Sequence, residues 1–148
     1  MNNQQIANLQ IARVLDEAAL RKLAELYAQG ADRRDKAVWA SIITADCVID
    51  GPGFKMDGRD QILGGIDILG QMFVMTQHRV HNQVVVIDGD NAKGETYCVA
   101  DHLTKENGKT NILVWNIRYQ DTYRREEGRW LIAGRTLIID WEEKRTIG

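Results

Sequence analysis

The sequence is poor in residues that would tie it to a special environment or chemistry. It has 148 residues, with two cysteines, one proline and a net charge of −2. Cys47 and Cys98 lack the spacing of a metal or redox motif, so we interpret them as reduced core thiols of a cytoplasmic protein. Lysines and arginines are scattered among acidic residues, which argues against nucleic-acid binding.

Long apolar runs are absent as well. No stretch approaches the roughly 18 apolar residues of a membrane-spanning helix, and the first residues lack the basic and apolar regions of a secretory signal. The hydrophobic content of 44% and the length are typical of one soluble domain. We therefore expect a single domain over residues 1–148, no membrane partner, and a short helix or loose arm over residues 1–15.

Motifs that bind nucleotides or activate a nucleophile are also missing. There is no glycine-rich phosphate loop and no Gly-x-Ser-x-Gly sequence, so neither a nucleotide cofactor nor covalent catalysis is indicated. His78 and His81 have the spacing of metal ligands, but residues three apart in a strand point to opposite faces. The sequence therefore predicts no metal and no cofactor.

Helical patterns dominate the first half of the chain and strand patterns the second. Apolar residues three and four apart predict helices over residues 16–29, 36–43 and 60–73. Gly30 is expected to end the first helix and Asp35 to cap the second. Alternating patterns predict a short strand at 48–50 and four long strands near 77–87, 91–104, 110–125 and 129–141. This is an α+β arrangement, in which a curved sheet around helices leaves a cavity at its open end.

Alternation along the strands sorts their side chains into two faces. In the first long strand the more apolar face, with His78 and Asn82, is expected to point inward. In the second, the face of small neutral residues that ends in His102 is expected to point inward. His81 and Asp101 fall on outer faces, unless a bulge shifts the register.

The next strand places Trp115, Ile117 and Tyr119 on one face. Tyr119 would bring a hydroxyl group beside apolar neighbours, which suits the wall of a pocket. Ordinary core packing explains the same pattern.

Asp32, His78 and His102 together have the chemistry of proton transfer. Histidine is the usual general acid or base near neutral pH. Because Asp35 fills the capping role between the first two helices, Asp32 is free to accept a hydrogen bond from an imidazole. Alternatively, Asp32 is itself the base, with its pKa raised by burial beside Tyr27.

Several landmarks occur in a familiar order between residues 10 and 142. They are Tyr27 followed by Asp32, Gly58-Arg59-Asp60, Thr76-Gln77-His78, the segment 94–102, and Trp130-x-x-Ala133-Gly134. In these landmarks the chain resembles the SnoaL-like branch of the NTF2-like superfamily, and within it the scytalone dehydratases and bile-acid 7α-dehydratases. The resemblance implies an NTF2-like cone, a strongly curved, mostly antiparallel sheet wrapped around three N-terminal helices with an internal cavity.

The two likenesses imply overlapping catalytic sets. Scytalone dehydratases use one aspartate and two histidines, which match Asp32, His78 and His102. Bile-acid dehydratases use a tyrosine, two aspartates and a histidine, which match Tyr27, Asp32, Asp101 and His78. The strand faces favour His102 over Asp101 inside the cavity. The candidates for contacting substrate are Tyr119, Asn82, Ile117 and Asp101.

The chain departs from the scytalone dehydratases where these bind the substrate carbonyl. Two tyrosines that hold the carbonyl through a water correspond to Ala31 and Gly51. A serine and an asparagine of that pocket correspond to Ile117 and Tyr119. Scytalone itself is therefore not the expected substrate, and Tyr27 or Tyr119 is expected to supply the missing hydroxyl group.

The residues and the resemblance together predict a cofactor-independent lyase that removes water from a small hydroxylated cyclic or polycyclic ketone. His78 would take the α-proton or position the base, and an Asp32–His102 pair would protonate the departing hydroxyl. Two alternatives stay open: an isomerase or cyclase of the ketosteroid isomerase or polyketide cyclase type, and a non-catalytic ligand-binding or assembly module. Relatives form dimers or trimers, so a homo-oligomer is expected. Its candidate interface is the outer face with Tyr97, Val99 and Leu103.

Overall fold

A computed structural model describes residues 1–147 of the chain. Over these residues it has three helices and six strands. In chain order they are α1 (Asn3–Arg33), α2 (Lys36–Ile42), β1 (Ile43–Gly51), β2 (Phe54–Asp57), α3 (Arg59–Met72), β3 (Met75–Asp88), β4 (Asn91–Glu106), β5 (Lys109–Glu126) and β6 (Arg129–Ile147).

The strands form one curved, unclosed sheet in the order β2-β1-β6-β5-β4-β3. Neighbouring strands are antiparallel except β1 and β6, which run parallel. The helices pack against one face of the sheet, and the core lies between these two layers, with Leu20, Trp39, Ile62 and Ile132 among its buried residues. The predicted α+β fold, a curved and mostly antiparallel sheet with three helices, is confirmed.

Helix α1 is longer at both ends than the sequence pattern predicts. Asn2 caps its start, where the Asn2 side chain accepts from the backbone of Gln5 and the Gln5 side chain accepts from the backbone of Asn2. Residues 3–15 are thus continuous with the rest of the helix rather than a loose arm. The helix also passes through Gly30 and ends at Arg33, so the prediction that Gly30 ends it is wrong.

Gly30 is explained by the approach of helix α2 to helix α1. A Cβ atom at Gly30 would lie 2.5 Å from Cδ1 of Trp39. The Trp39 indole instead packs against bare backbone, and its Nε1 donates to the carbonyl oxygen of Tyr27 at 2.9 Å. The glycine permits this close packing, which fixes the last turns of α1 against α2.

The short elements match the sequence patterns to different degrees. Asp35 caps α2 as predicted, because its carboxylate accepts from the backbone N–H of Val38 at 3.1 Å. Helix α2 ends one residue before its predicted end, and α3 begins and ends one residue earlier than predicted. Strand β2 was not predicted, because its four residues are too few for an alternating pattern to stand out.

A bulge in strand β3 reverses its two faces. The pairing of β3 with β4 shifts register between Val80 and Gln83. Beyond the shift Gln83 points inward and donates to Thr96 Oγ1 at 3.1 Å, while Asn82 is exposed and Val86 is 70% exposed. The prediction that the face with His78 and Asn82 points inward is therefore wrong beyond the shift. The guanidinium group of Arg21 holds the bulge by donating to the carbonyl oxygens of Val80 and His81.

Candidate active site

A cavity of about 510 Å³ lies between the helices and the sheet. Its walls are mainly aromatic and aliphatic, with Phe54 and Met56 from β2, Leu69 and Met72 from α3, and Trp115 from β5. Polar side chains reach it at few points. These are Tyr27, Lys55, His78, His102 and Tyr119. An apolar pocket with a few convergent polar groups is the usual form of a small-molecule site.

His78 lines this cavity and is hydrogen-bonded to Asp32, which is not among the lining residues. Asp32 lies in the last turn of α1, and His78 lies near the start of β3. Nδ1 of His78 is 2.6 Å from Oδ1 of Asp32, and the backbone N–H of His78 donates to Oδ2 at 2.8 Å. An ionised carboxylate only accepts, so Nδ1 carries the proton and Nε2 is left with its lone pair. This is the tautomer that a histidine general base requires.

The surroundings of Asp32 keep it ionised. Partial burial acts to raise the pKa of Asp32, but the hydrogen bonds from the His78 ring and backbone outweigh it, and the hydroxyl of Thr76 adds to them. The net effect is a pKa below the ordinary value of an aspartate. The pKa of Asp32 is therefore lowered, whereas the alternative interpretation from the sequence, with Asp32 as the base, expected burial to raise it.

His102 lies across the cavity corner from His78, with 6.0 Å between the ring centroids. It is buried between Phe73 and Trp115, whose rings lie 4.7 and 4.4 Å away. Burial, and next the charge of a protonated His78, lower the pKa of His102 to about 4. His102 is therefore neutral at physiological pH.

The hydrogen bonds of His102 also fix its tautomer. Its Nδ1 lies 3.2 Å from the carbonyl oxygen of Leu113, which can only accept, so Nδ1 is the donor and Nε2 is an acceptor. The side-chain partners of Asp32 in residues 1–147 are His78 and Thr76. The predicted Asp32–His102 pair is therefore wrong: the carboxylate pairs with the other histidine.

Two of the predicted substrate contacts lie away from the cavity. Asp101 is on the opposite face of β4, where Arg79 donates to both carboxylate oxygens at 2.9 and 3.0 Å. Arg145 adds a longer ion pair at 3.8 Å. Asn82 is in the bulge and exposed. Ile117, Tyr119 and Tyr27, by contrast, do line the cavity.

A buried arginine near the cavity was missed in the sequence. The guanidinium group of Arg135 lies 4.1 Å from the ring centroid of Tyr27 and 3.9 Å from that of Tyr119. It donates to the carboxylate of Asp121 at 2.7 and 2.8 Å. The sequence carried one signal for this pair, since Asp121 continues the apolar face of Ile117 and Tyr119 and an acid there needs a buried partner.

The two tyrosines keep their protons. Burial raises the pKa of Tyr27 to about 12, against the opposing charge of Arg135. Burial likewise raises the pKa of Tyr119 well above its ordinary value. Both phenols are therefore neutral hydrogen-bond donors at physiological pH.

The site geometry can be set beside known proteins. The family profile of the SnoaL-like domain matches residues 12–136. The chain belongs to the SnoaL-like family, within the NTF2-like superfamily. A comparison with curated proteins gave no significant match.

Solved structures with low sequence identity share this SnoaL-like fold. A "Putative Scytalone Dehydratase" from Novosphingobium aromaticivorans is 20% identical, with a TM-score of 0.81 over 94% of this chain and 93% of that one. A hexachlorocyclohexane dehydrochlorinase (LinA) of type 2 is 19% identical, with a TM-score of 0.82 over 92% and 93% of the two chains. A protein described as a putative aromatic ring hydroxylase, also from N. aromaticivorans, is 22% identical, with a TM-score of 0.79 over 90% and 94%. At these identities the likeness establishes the fold.

Ala31 and Ile117 are part of the cavity wall, and Gly51 precedes Pro52, which also lines the cavity. The methyl group of Ala31 and the side chain of Ile117 make this part of the cavity apolar.

Within residues 1–147 no three His, Cys, Asp or Glu side chains come together as a possible metal site. No helix in the same range is long and apolar enough to cross a membrane.

Proposed function

We propose that this SnoaL-like protein is a cofactor-independent lyase that removes water from a hydroxylated cyclic or polycyclic ketone. The observation that carries the proposal is His78, which lines an apolar cavity of about 510 Å³ and whose Nδ1 lies 2.6 Å from Oδ1 of Asp32. The cavity volume is in the range of pockets that enclose small molecules. Its walls favour a substrate that is largely apolar.

His78 is the proposed base. Its Nε2 takes the proton from the carbon next to the carbonyl group, and the electrons of that C–H bond form an enolate. When the enolate collapses, a C=C bond forms and the bond to the β-hydroxyl group breaks. The imidazolium then returns its proton to the departing hydroxide, so water leaves and His78 is neutral again. Asp32 stabilises the imidazolium in between.

The phenols of Tyr27 and Tyr119 are the proposed donors to the carbonyl oxygen. Both line the cavity and remain protonated, because burial raises the pKa of each. Arg135 is stacked on both rings, and its charge is paired with Asp121, so it holds the two phenols in place. Donors that are already in position stabilise a developing enolate oxygen.

His102 has a different proposed role from the one expected from the sequence. A histidine whose pKa is about 4 does not deliver a proton at neutral pH. With Nδ1 bound to Leu113, its Nε2 accepts a hydrogen bond from the substrate hydroxyl and orients the leaving group.

Elimination of another leaving group is the second candidate. Some of the similar structures are hexachlorocyclohexane dehydrochlorinases. Loss of hydrogen chloride from a cyclic substrate needs the same base and the same apolar cavity, but no donor to a carbonyl oxygen. The proton that His78 takes then leaves to solvent, and chloride leaves with the bonding electrons.

Product analysis distinguishes these reactions. The protein is incubated with cyclic β-hydroxyketones, with chlorinated cyclohexanes, and with β,γ-unsaturated cyclic ketones, and the products are identified by mass spectrometry. Conjugated enones from the first panel support the dehydratase, and chloride release supports the second candidate. Conversion of the third panel alone would show an isomerase. No conversion of any panel would favour a non-catalytic binding module.

The prediction of a dimer or trimer also stays a proposal. Tyr97 is 41% exposed and Trp141 is 59% exposed, both on strands of the sheet. Light scattering coupled to size-exclusion chromatography measures the mass in solution. A mass of one chain at all concentrations would contradict the proposal.

A further inference from the structure

Two polar residues behind the Asp32–His78 pair are not among those that line the cavity. They are Thr76, two residues before His78 in β3, and Arg34, which directly follows α1. Neither was a candidate from the sequence. Thr76 is 3% exposed, so its hydroxyl group must find its hydrogen bonds within the protein.

The hydrogen bonds among these residues have a defined direction. Nη1 of Arg34 donates to Oγ1 of Thr76 at 2.8 Å, and an arginine cannot accept. The single hydroxyl proton of Thr76 is then available for Oδ1 of Asp32, 3.1 Å away. The same oxygen accepts from Nδ1 of His78. Charge on Arg34 is thus linked through Thr76 to the carboxylate that orients His78.

Arg34 is itself held in place by backbone groups. It adopts a left-handed conformation with φ of 55° at the end of α1, where its side chain turns back to donate to the carbonyl oxygen of Ala31. A weaker bond of 3.5 Å reaches the carbonyl oxygen of Phe73, just beyond α3. The guanidinium group therefore ties the ends of two helices to the start of β3.

We propose that Arg34 and Thr76 are positioning residues, which hold the carboxylate of Asp32 in the plane where it meets Nδ1 of His78. The inference rests on the proposed function, in which Nε2 of His78 is the base. Without the Thr76 hydroxyl, Oδ1 of Asp32 keeps one side-chain donor in place of two, and the carboxylate is freer to rotate. The imidazole then spends less time with Nε2 aimed at the substrate.

The first test compares Thr76→Val with Thr76→Ser. Valine has the shape of threonine without the hydroxyl, and serine keeps the hydroxyl. We expect T76V to lower kcat about tenfold with little change in KM, as is usual for groups that orient a catalytic residue. T76S should keep most of the activity.

A titration of Asp32 provides a readout that needs no turnover. The carboxyl carbon of Asp32 is followed by NMR between acidic and neutral pH in the wild type and both variants. Loss of the donated hydrogen bond should raise the pKa of Asp32 in T76V, while T76S should stay near the wild type. His78, which bonds to Asp32, and Arg34, which bonds to Thr76, are unchanged in both.

Arg34 is tested in parallel. Arg34→Met removes the donor to Thr76, whereas Arg34→Lys retains a charge that can reach it. R34M should lower kcat and raise the pKa of Asp32, and R34K should restore part of both. Arg33→Met, the same change at the adjacent exposed arginine, is the control and should alter neither. Thermal unfolding shows that each variant is folded; if T76V is not, the R34M and R34K comparison decides.

The outcomes separate the two proposals. If T76V and T76S have the same activity and the same Asp32 pKa, the positioning role is overturned. If no variant, including the wild type, converts any ketone, the proposed function fails, but the Asp32 titration still decides whether Thr76 and Arg34 act on the carboxylate.

Discussion

His78 binds both carboxylate oxygens of Asp32, one through Nδ1 at 2.6 Å and the other through its backbone N–H at 2.8 Å. Because the ring and the backbone of His78 both bond to the carboxylate of Asp32, the imidazole has little freedom to rotate about the side-chain bonds of His78. The contact also joins the last turn of α1 to the first part of β3, since Asp32 and His78 are 46 residues apart in sequence. The catalytic proposal and the packing of the helix on the sheet therefore depend on the same pair.

The packing of α1 against α2 predicts opposite effects for two glycine substitutions. Gly30→Ala places a methyl group 2.5 Å from Trp39, so the indole or the helix must shift, at a cost of about 1–3 kcal/mol. Gly64→Ala, inside α3, meets no atom within 4 Å and should stabilise by up to about 1 kcal/mol. Urea unfolding of both variants measures the difference. Equal stabilities would show that Trp39 does not require a bare backbone.

The buried Arg135–Asp121 pair predicts a large loss of stability when one partner is neutralised. Asp121→Asn leaves the guanidinium group, whose side chain is 1% exposed, without its counter-charge and should cost about 3–5 kcal/mol. Asp140→Asn removes a partly exposed ion pair to Arg118 and should cost much less.

A double variant sharpens this prediction. D121N combined with Arg135→Met removes both charges and should be more stable than D121N alone, because no unpaired buried charge remains. Urea titration gives the free energies of unfolding of D121N, D140N and the double variant. A D121N variant as stable as D140N would contradict the account of this pair.

The neutral state of His102 predicts that stability falls in mild acid. Its pKa is about 4 in the folded protein, against roughly 6.5 in an unfolded chain. Between these values the unfolded state binds the proton more readily than the folded state. The contribution of His102 to the free energy of unfolding is therefore fully present above about pH 6.5 and is lost as the pH falls toward 4. The full difference amounts to roughly 3 kcal/mol.

Two histidine variants isolate this effect. The free energy of unfolding is measured at pH 7 and pH 5 for the wild type, His102→Gln and His81→Gln. The decrease between the two values should be smaller in H102Q, which has no imidazole to protonate there. H81Q, at an exposed position, should keep the wild-type decrease. An identical decrease in H102Q would mean that His102 is not held neutral.

The sequence predicts best those features that depend on near neighbours. Asp35 caps α2 by a bond within three residues, and the boundaries of α2 and α3 follow from such local signals. The alternation of side chains along β3 likewise predicted that His78 points inward, and this holds because no bulge precedes His78 in the strand. The bulge after Val80 has no local signal, since Arg21 holds it from another element, and it moved Asn82 to the surface.

The pairing of Asp32 with His78 depends on contacts between residues distant in sequence, so it was not predicted. Alternation placed His78 and His102 toward one cavity but could not tell which of them meets Asp32. That choice is made by the length of α1, which continues past Gly30 and carries Asp32 to the start of β3. The pairing of Arg135 with Asp121 depends in the same way on the register between β5 and β6, which places the two residues opposite each other.

The proposed function depends on one step, the removal of a proton from carbon by Nε2 of His78, which Asp32 orients. It is tested most directly by the exchange of α-protons of a bicyclic ketone without a leaving group, such as 2-tetralone, in deuterated water followed by NMR. The wild type should accelerate exchange, and His78→Gln and Asp32→Asn should each reduce the acceleration about 100-fold or more while remaining folded. Exchange at the wild-type rate in both variants would contradict the claim.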